Sequence, residues 1–244
     1  MSSETLLEVE GLGKRFGGVQ AVAGLSLRVE AGEIVGLIGP NGSGKTTTFN
    51  LITGFHRPDA GRVRFAGREI TGLPPYEVCA RGLCRTFQVA RPFRELTVFR
   101  NVMAATLLHH PSPADAVSRA GELVRMVGLE ARADAEAGRL TTIDQRRLEV
   151  ARALGTEPRL LLLDETMAGL TPTEVGEAMR LIAGLRDRGL TLLVVEHLMR
   201  AIMTLSDRVV VMDQGTKIAE GPPKEIASDP RVVRAYLGSE YRHA

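Results

Sequence analysis

The sequence predicts an α/β fold that opens with an antiparallel β part and carries an inserted helical lobe. Near its start, Leu6–Val9 and Leu25–Val29 alternate apolar and polar residues, which is typical of half-buried antiparallel strands. Later in the chain, Leu160–Leu163 and Thr191–Val195 are short apolar runs of the kind that form buried strands. Strand patterns vanish between about residues 98 and 154, where alanine, leucine, glutamate and arginine recur at helical spacing.

The first α/β part contains a strand, a glycine-rich turn and a helix in direct succession. Glu33–Ile38 is predicted to be a buried strand, and Lys45–Thr53 a helix that opens from the turn. Further strands are predicted at Arg62–Phe65 and Leu83–Phe87.

The second half supplies the helices and a closing hairpin. Helices are predicted at Ala114–Val127 and Gln145–Leu154. A Thr-Pro pair predicts the start of a third helix, Pro172–Arg188, because threonine caps helices and proline favours their first turn. A turn of sequence Asp-Gln-Gly-Thr between Val209–Met212 and Lys217–Ala219 predicts a hairpin.

Length and charge limit the classes of function. The 244 residues suit a single domain, predicted to span 1–244 with a helical subdomain at about 89–157. The 31 basic residues nearly balance the 29 acidic ones, which argues against a nucleic-acid partner. The basic clusters Arg81–Arg85 and Arg146–Arg147 are therefore expected to be solvated or to face another subunit.

Composition also indicates a cytoplasmic location. The first residues lack the basic and apolar regions of a secretory signal, and no apolar run approaches the roughly 18 residues of a membrane helix. The two cysteines, Cys79 and Cys84, are too few for a disulfide framework, so we expect packing residues in a reducing compartment.

The glycine-rich turn matches the P-loop pattern and lies between a predicted strand and a predicted helix. Its glycines let backbone N–H groups surround phosphate oxygens, and the helix N-terminus adds positive potential. We expect Lys45 to bridge the β- and γ-phosphates of ATP and the Thr46 hydroxyl to bind Mg²⁺. The fold is thus predicted to have a P-loop NTPase core. The predicted nucleotide-binding residues of the loop are Gly39, Pro40, Asn41, Gly42, Ser43, Gly44, Lys45, Thr46 and Thr47.

Two acidic residues follow the apolar run Leu160–Leu163. Such a strand is buried, so Asp164 is expected at its carboxyl end, where nucleotide phosphates lie in parallel sheets. Asp164 is predicted to hold Mg²⁺ through the water shell of the ion. Glu165 is predicted to be the general base that acts on the attacking water.

Two more polar residues are candidates for the same edge of the sheet. His197 follows the apolar run Thr191–Val195 and can hydrogen-bond the γ-phosphate or the attacking water. Gln88 could join Mg²⁺ or the water. From the residues alone, however, an ordinary polar residue at a strand end is the preferred interpretation of Gln88.

Taken in order, these motifs resemble the ATP-binding subunits of ABC transporters over essentially the whole chain. The motifs are Gly39–Thr46, Gln88, Leu140–Gln145, Asp164-Glu165 and His197. Within that superfamily the chain is similar to the ATPase subunits of branched-chain amino acid importers. The stretches that carry this similarity are Lys14–Gly18, Asn50–Phe55, Ile70–Pro75, Arg85–Gln88, Ile218–Gly221 and Asp229–Gly238.

The resemblance implies roles for single residues and for partners. Phe16 would stack on adenine, Gln88 would be the sensor glutamine, His197 the switch histidine, and the Thr141 hydroxyl would reach the γ-phosphate. Two ATPase subunits would sandwich two ATP molecules, each P-loop facing the signature loop of the other chain. Two integral-membrane permease subunits would hold the pair on the cytoplasmic face of the plasma membrane, with a solute-binding protein acting indirectly.

The chain departs from the family pattern at its signature loop. The usual Leu-Ser-Gly-Gly-Gln is replaced by Leu140-Thr-Thr-Ile-Asp144. Ile143 is expected to resist a positive φ that glycine would adopt, and Asp144 brings a negative charge towards phosphate. Thr171 stands where an aspartate is common. Because this loop would serve only the ATP site of the partner, a heterodimer is predicted in preference to a homodimer.

Three classes of function remain open. The first is an importer subunit for a hydrophobic amino acid or related solute, favoured by Phe93 and Leu96–Phe99 after Gln88. The second is an ABC ATPase outside import, such as the motor of a lipid or lipopolysaccharide exporter. The third is a P-loop switch GTPase or a non-transport ATPase. The sequence has no Asn-Lys-x-Asp guanine-reading motif, no second such domain and no long coiled-coil insert, which argues against the third.

Replacing Lys45 by alanine is expected to abolish tight nucleotide binding, because the change removes the positive charge directed at the β- and γ-phosphates. Calorimetric titration with Mg·ATP measures the effect. An unchanged dissociation constant would contradict the assignment of the phosphate loop.

Overall fold

The computed structural model describes residues 4–88 and 91–240. The strands in these residues, β1 to β10, are Thr5–Phe16, Val19–Glu30, Ile34–Ile38, Ala60–Phe65, Arg68–Glu69, Leu83–Arg85, Leu160–Asp164, Thr191–Val195, Arg208–Asp213 and Thr216–Gly221. The helices, α1 to α9, are Lys45–Ile52, Pro75–Ala80, Val98–Thr106, Pro113–Met126, Thr142–Gly155, Pro172–Asp187, Met199–Leu205, Pro223–Ser228 and Pro230–Glu240.

The strands form two sheets. An antiparallel sheet has the order β2-β1-β4-β5, and a six-stranded sheet has the order β10-β9-β3-β8-β7-β6. In the larger sheet all neighbours pair in parallel except β10, which pairs antiparallel with β9 as the predicted hairpin. The predicted α/β class with an N-terminal antiparallel part is confirmed.

Strand β7 illustrates how the larger sheet is buried on both faces. Every residue of β7 is buried, and its side chains alternate between the two faces as a strand requires. Leu161 and Leu163 belong to the core cluster shared with the helices of the inserted segment. Leu160 and Leu162 belong to the cluster that contains Phe49 of α1 and the antiparallel sheet. The run of four leucines is therefore the centre of two cores.

The helical segment lies between β6 and β7 and consists of α3, α4 and α5, which pack against one another. The predicted start of the helical subdomain, residue 89, lies outside the described residues, so its bounds stay a prediction. The preceding strand is shorter than predicted and ends at Arg85. The reason is that the backbone N–H of Phe87 donates to Glu149 Oε1 of α5 at 3.1 Å instead of continuing the sheet.

Helix α6 begins with a complete capping box. The Thr171 hydroxyl accepts a hydrogen bond from the N–H of Glu174, and the Glu174 carboxylate accepts the N–H of Thr171 at 2.7 Å. Threonine thus caps the helix at the position where the family pattern has aspartate. Both residue types provide a side-chain oxygen that can accept this hydrogen bond.

Substituting Thr171 by alanine should therefore lower the free energy of unfolding by about 1 kcal/mol, because α6 loses its side-chain cap. Thr171→Asp, which keeps an acceptor, is the matched control and should be close to wild type. Urea unfolding followed by circular dichroism measures both. An alanine variant as stable as the aspartate variant would contradict a stabilising role for the cap.

Candidate active site

The phosphate loop joins the central strand β3 to α1, and its backbone requires glycine. Gly39 has φ 153° and Gly44 has φ 104°. A Cβ added at Gly39 would lie 2.1 Å from the carbonyl oxygen of Met212, and one at Gly44 would lie 2.4 Å from that of Ala21. No side chain fits at either position, so the loop backbone lies directly against its neighbours.

The side chains of the loop supply donors for an anion. Lys45 is buried, and its ammonium donates to the carbonyl oxygens of Gly39 (2.7 Å) and Pro40 (3.0 Å). Burial lowers the pKa of Lys45, while Glu165 and Asp164 nearby raise it.

Further polar groups lie at the start of α1. The hydroxyl of Ser43 is buried and has no hydrogen-bond partner among the described residues. Thr46 is exposed and Thr47 is half-buried at the N-terminus of the helix, whose first N–H groups have no partner within the helix. This set of donors fits a bound phosphate chain.

Glu165 adopts a left-handed backbone conformation directly after β7. Its φ is 50°, which is uncommon for a residue with a Cβ and costs on the order of 1 kcal/mol or more. Its N–H donates to the carbonyl oxygen of Val195 at 2.9 Å, so the strained residue is tied to the end of β8. Strained backbone held by its surroundings is frequent at catalytic positions.

Of the three predicted catalytic residues, Gln88 and His197 both contact the carboxylate of the third, Glu165. Gln88 Nε2 donates to Glu165 Oε2 at 2.5 Å, and His197 Nε2 lies 2.6 Å from Glu165 Oε1. Because a carboxylate only accepts, the Nε2 atom of His197 carries the proton in this contact. Gln88, Glu165 and His197 follow β6, β7 and β8, which are neighbours in the sheet. The structure therefore brings together residues that are up to 109 positions apart in sequence.

Asp164, the predicted metal ligand, is buried and paired with an arginine that sequence analysis misjudged. Arg85 Nη2 lies 2.8 Å from Asp164 Oδ2, and both side chains are almost completely buried. Burial raises the pKa of Asp164, and the Arg85 guanidinium counteracts this rise. The expectation that Arg81–Arg85 is solvated or subunit-facing is wrong for Arg85. The one cue in the sequence was its position on a strand that leads to Gln88.

The second basic cluster also binds its own chain. Arg146 of α5 donates to the carbonyl oxygens of Thr166 and Ala168 in the segment that follows Glu165. Arg147 pairs with Glu177 of α6. These contacts join α5 to the segment after β7. Both arginines are half-buried, so the expectation that they are solvated or face another subunit stays a prediction.

Glu196 is a second residue that sequence analysis missed. It is buried, and its Oε1 accepts the N–H of Met167 at 2.7 Å and the hydroxyl of Thr166 at 3.2 Å. Burial raises the pKa of Glu196. The residue fixes the backbone just after Glu165 from the neighbouring strand end.

Phe16 and Thr141 lie outside this cluster. Phe16 ends β1 with 43% of its surface exposed; its ring meets that of His56 edge-on at 5.3 Å, and the Lys14 ammonium lies 5.6 Å from the ring centre. Its ring is accessible for stacking. Thr141 caps α5, its hydroxyl accepting the N–H of Asp144 at 3.3 Å.

Ile143 does not have the strained backbone that was expected for it in the signature loop. It lies in the first turn of α5, and the non-glycine residues with positive φ in the described chain are Ala66, Glu157, Glu165 and Gln214. The expected strain at Ile143 is therefore wrong, because the helix starts one residue before it. The residue lines a cavity of ≈ 340 Å³ whose walls include Leu163, Leu170 and Ile182. An acid in the first turn, Asp144, also suits a helix N-terminus.

Comparison with known families identifies the chain. A family model described as ABC transporter matches residues 22–168, more than half of the sequence. The chain belongs to the ABC transporter ATP-binding family. A second model, described as branched-chain amino acid ATP-binding cassette transporter, matches residues 216–242.

Several relatives of this ABC ATPase align over almost their entire length. It is 44% identical to the high-affinity branched-chain amino acid transport ATP-binding protein LivG of Escherichia coli and 42% identical to BraF of Pseudomonas aeruginosa, with 97% of this chain and 99% of each relative covered. It is 38% identical to the lipopolysaccharide export system ATP-binding protein LptB of Acidithiobacillus ferridurans, with 97% and 98% covered.

The fold agrees with these relationships. The ADP conformation of an ATP-binding cassette of an ABC transporter superposes with a TM-score of 0.86 at 34% identity, covering 96% of this chain and 99% of the other. The chain is thus an ATPase that uses ATP with Mg²⁺, and members of this family act as dimers with membrane permeases. None of the helices within residues 4–88 and 91–240 combines the length and apolar character needed to cross a bilayer.

Glu165→Gln is expected to leave ATP binding nearly intact and to slow hydrolysis by roughly 10²-fold or more, because it removes the predicted general base. Steady-state ATPase assays of the assembled transporter measure the effect. Glu157→Gln is the matched control, since Glu157 shares the left-handed conformation (φ 47°) but lies at the surface with His110. Near-normal turnover of the Glu165 variant would remove this residue from the role of base.

Proposed function

We propose that this ABC ATPase powers the import of branched-chain amino acids or a related small solute through separate permease subunits. The observation that carries the catalytic part is the contact of Gln88 and His197 with the carboxylate of Glu165, beside the phosphate loop. The observation that carries the solute class is similarity to importer subunits, which extends to the match of residues 216–242 with the branched-chain model.

The chemistry assigns a separate task to each residue. Lys45 and the loop N–H groups bind the phosphates, and Thr46 and Asp164 would hold Mg²⁺, with Gln88 as a further ligand of the ion or its water. Magnesium supplies neutralisation of the charge on the phosphates. Glu165 accepts a proton from the attacking water. The oxygen of that water bonds to the γ-phosphorus, and the bond from the γ-phosphorus to the oxygen shared with the β-phosphate breaks, which releases ADP and phosphate. His197 orients the Glu165 carboxylate.

A groove beside Gln88 is the proposed permease site. This aromatic groove, a cavity of ≈ 310 Å³, lies between the larger sheet and the helical segment. Phe55 and Phe87 on its wall are 46% and 38% exposed, and Phe93 nearby is 54% exposed. Exposed aromatic side chains next to charged ones are typical of protein interfaces. The residues that define the groove are Phe55, Phe87, Arg91, Glu149 and Arg152.

Glu149 links this groove to the catalytic carboxylate. Its Oε1 accepts the N–H of Phe87 at 3.1 Å, and its Oε2 accepts the N–H of Arg91 at 3.2 Å. One buried carboxylate therefore binds the backbone of two residues, Phe87 and Arg91, that flank Gln88. Burial raises the pKa of Glu149, and the two N–H donors counteract the rise. A permease segment in the groove would contact the same residues that position Gln88.

The assembly is proposed to be a heterodimer of ATPase subunits on the cytoplasmic face of the membrane, supplied by a solute-binding protein. The support is the departure of Thr141–Asp144 from the usual signature, although Ile143 itself is unstrained. Ile143 lines the cavity beside α6, so this loop carries a side chain where a partner with glycine would have none. A homodimer would carry the departure in both ATP sites.

An exporter motor is the second candidate, favoured by the 38% identity to the lipopolysaccharide export protein. Reconstitution with cognate permeases in vesicles separates the two functions. ATP-dependent accumulation of labelled leucine or valine supports import. Extraction of a lipid or lipopolysaccharide from the vesicles by the same complex, without amino acid uptake, contradicts it.

The purified chain alone is expected to hydrolyse ATP slowly. A dimer of two copies would have only the Thr141–Asp144 loop, which departs from the usual signature, at each ATP site. Adding the partner ATPase and the permeases should raise turnover per subunit. Phosphate release at saturating Mg·ATP measures both states. An isolated chain as fast as the full complex would contradict the heterodimer.

A further inference from the structure

Arg85 lies between the aromatic groove and the carboxylate of Asp164. It ends β6, and only 6% of its side chain is exposed. Its three guanidinium nitrogens have different partners: Nη2 contacts Asp164 Oδ2 at 2.8 Å, Nη1 donates to Asn50 Oδ1 at 2.6 Å, and Nε donates to the carbonyl oxygen of Thr86 at 3.2 Å. The planar group is therefore fixed by α1, by the residue that follows β6 and by the end of β7 together.

Three aromatic rings surround this guanidinium. Its central carbon lies 4.7 Å from the ring centre of Phe87, 5.6 Å from that of Phe55 and 5.9 Å from that of Phe49. Phe55 and Phe87 also meet edge-on at 5.3 Å. The two rings that form the wall of the aromatic groove thus also lie within cation–π distance of Arg85.

The contact with Arg85 fixes one oxygen of the Asp164 carboxylate. Arg85 Nη2 donates to Oδ2 at 2.8 Å, and Oδ1 is the carboxylate oxygen outside this pair. Partners that hydrogen-bond a metal ligand commonly fix its orientation. A carboxylate held in one orientation is what a hydrated Mg²⁺ needs from Asp164.

We propose that Arg85 is a positioning residue that holds the Asp164 carboxylate in the orientation needed for the nucleotide-bound metal, and that the Phe55–Phe87 wall of the aromatic groove sets the position of Arg85. The proposal deepens the proposed function and rests on it, since Asp164 must serve the metal of Mg·ATP. Arg85 touches neither substrate nor metal and acts through the carboxylate.

The test measures metal affinity in the full chain with a non-hydrolysable ATP analogue, using the electron paramagnetic resonance signal of free Mn²⁺. Arg85→Gln should weaken Mn²⁺ binding by about 10-fold or more, as loss of a residue that orients a metal ligand does. Affinity for the analogue in excess EDTA should not change. Arg81→Gln, an exposed arginine four residues away, is the matched control and should bind Mn²⁺ like wild type.

The aromatic wall is tested in the same assay. Phe87→Leu should weaken Mn²⁺ binding by about 2- to 5-fold, which corresponds to the free energy of one cation–π contact. Phe93→Leu is its matched control, because the Phe93 ring centre lies 5.1 Å from the central guanidinium carbon of a different arginine, Arg152. This variant should leave Mn²⁺ affinity unchanged. Equal losses in both phenylalanine variants would overturn the role of the wall.

Folding is checked by thermal unfolding, since removal of one partner can destabilise a buried ion pair. If Arg85→Gln does not fold, Arg85→Lys decides. It keeps the charge but has one nitrogen in place of the three that bind Asp164, Asn50 and Thr86, and a smaller loss of Mn²⁺ affinity is expected. A folded variant with wild-type Mn²⁺ affinity overturns the proposal and leaves the proposed function intact. Failure of the wild-type chain to bind the analogue in EDTA would instead count against the proposed function.

Discussion

The parallel pairing of β6, β7 and β8 is the constraint on which the site depends. Their register places Asp164 opposite Val195, so the residues that follow these strands emerge at one edge of the sheet. A shift of one residue in β7 would turn its alternating side chains to the opposite faces. It would exchange the leucines of the two cores and would separate Glu165 from His197. Core packing and site geometry are thus specified by the same register.

Much of this arrangement could be predicted from local sequence. Buried parallel strands are short apolar runs, and a residue directly after such a run must lie at the carboxyl edge. This reasoning placed Asp164, Glu165 and His197 correctly at one edge, and the glycine spacing located the loop before α1. Gln88 was harder, because nothing in its neighbours indicates that its amide reaches Glu165. That contact depends on the pairing of β6 with β7, which the sequence does not encode locally.

The two errors have different physical origins. Arg85 belongs to a basic stretch that looks solvated, yet Asp164 balances its charge and Asn50 accepts its hydrogen bond inside the protein. These partners are distant in sequence, so residue type and spacing alone could not reveal them. Ile143 aligns with a glycine and was expected to be strained, yet α5 begins early enough to include it. Here the error concerned where a helix begins, one of the least certain features of a sequence-based prediction.

The contacts of Glu149 have a mechanical consequence. Its carboxylate accepts the N–H groups of Phe87 and Arg91, and the helix that carries it, α5, is capped at its N-terminus by Thr141. The two backbone positions that flank Gln88 and the Thr141 cap are therefore attached to one helix. A rotation of α5 relative to β7 would displace both of them together.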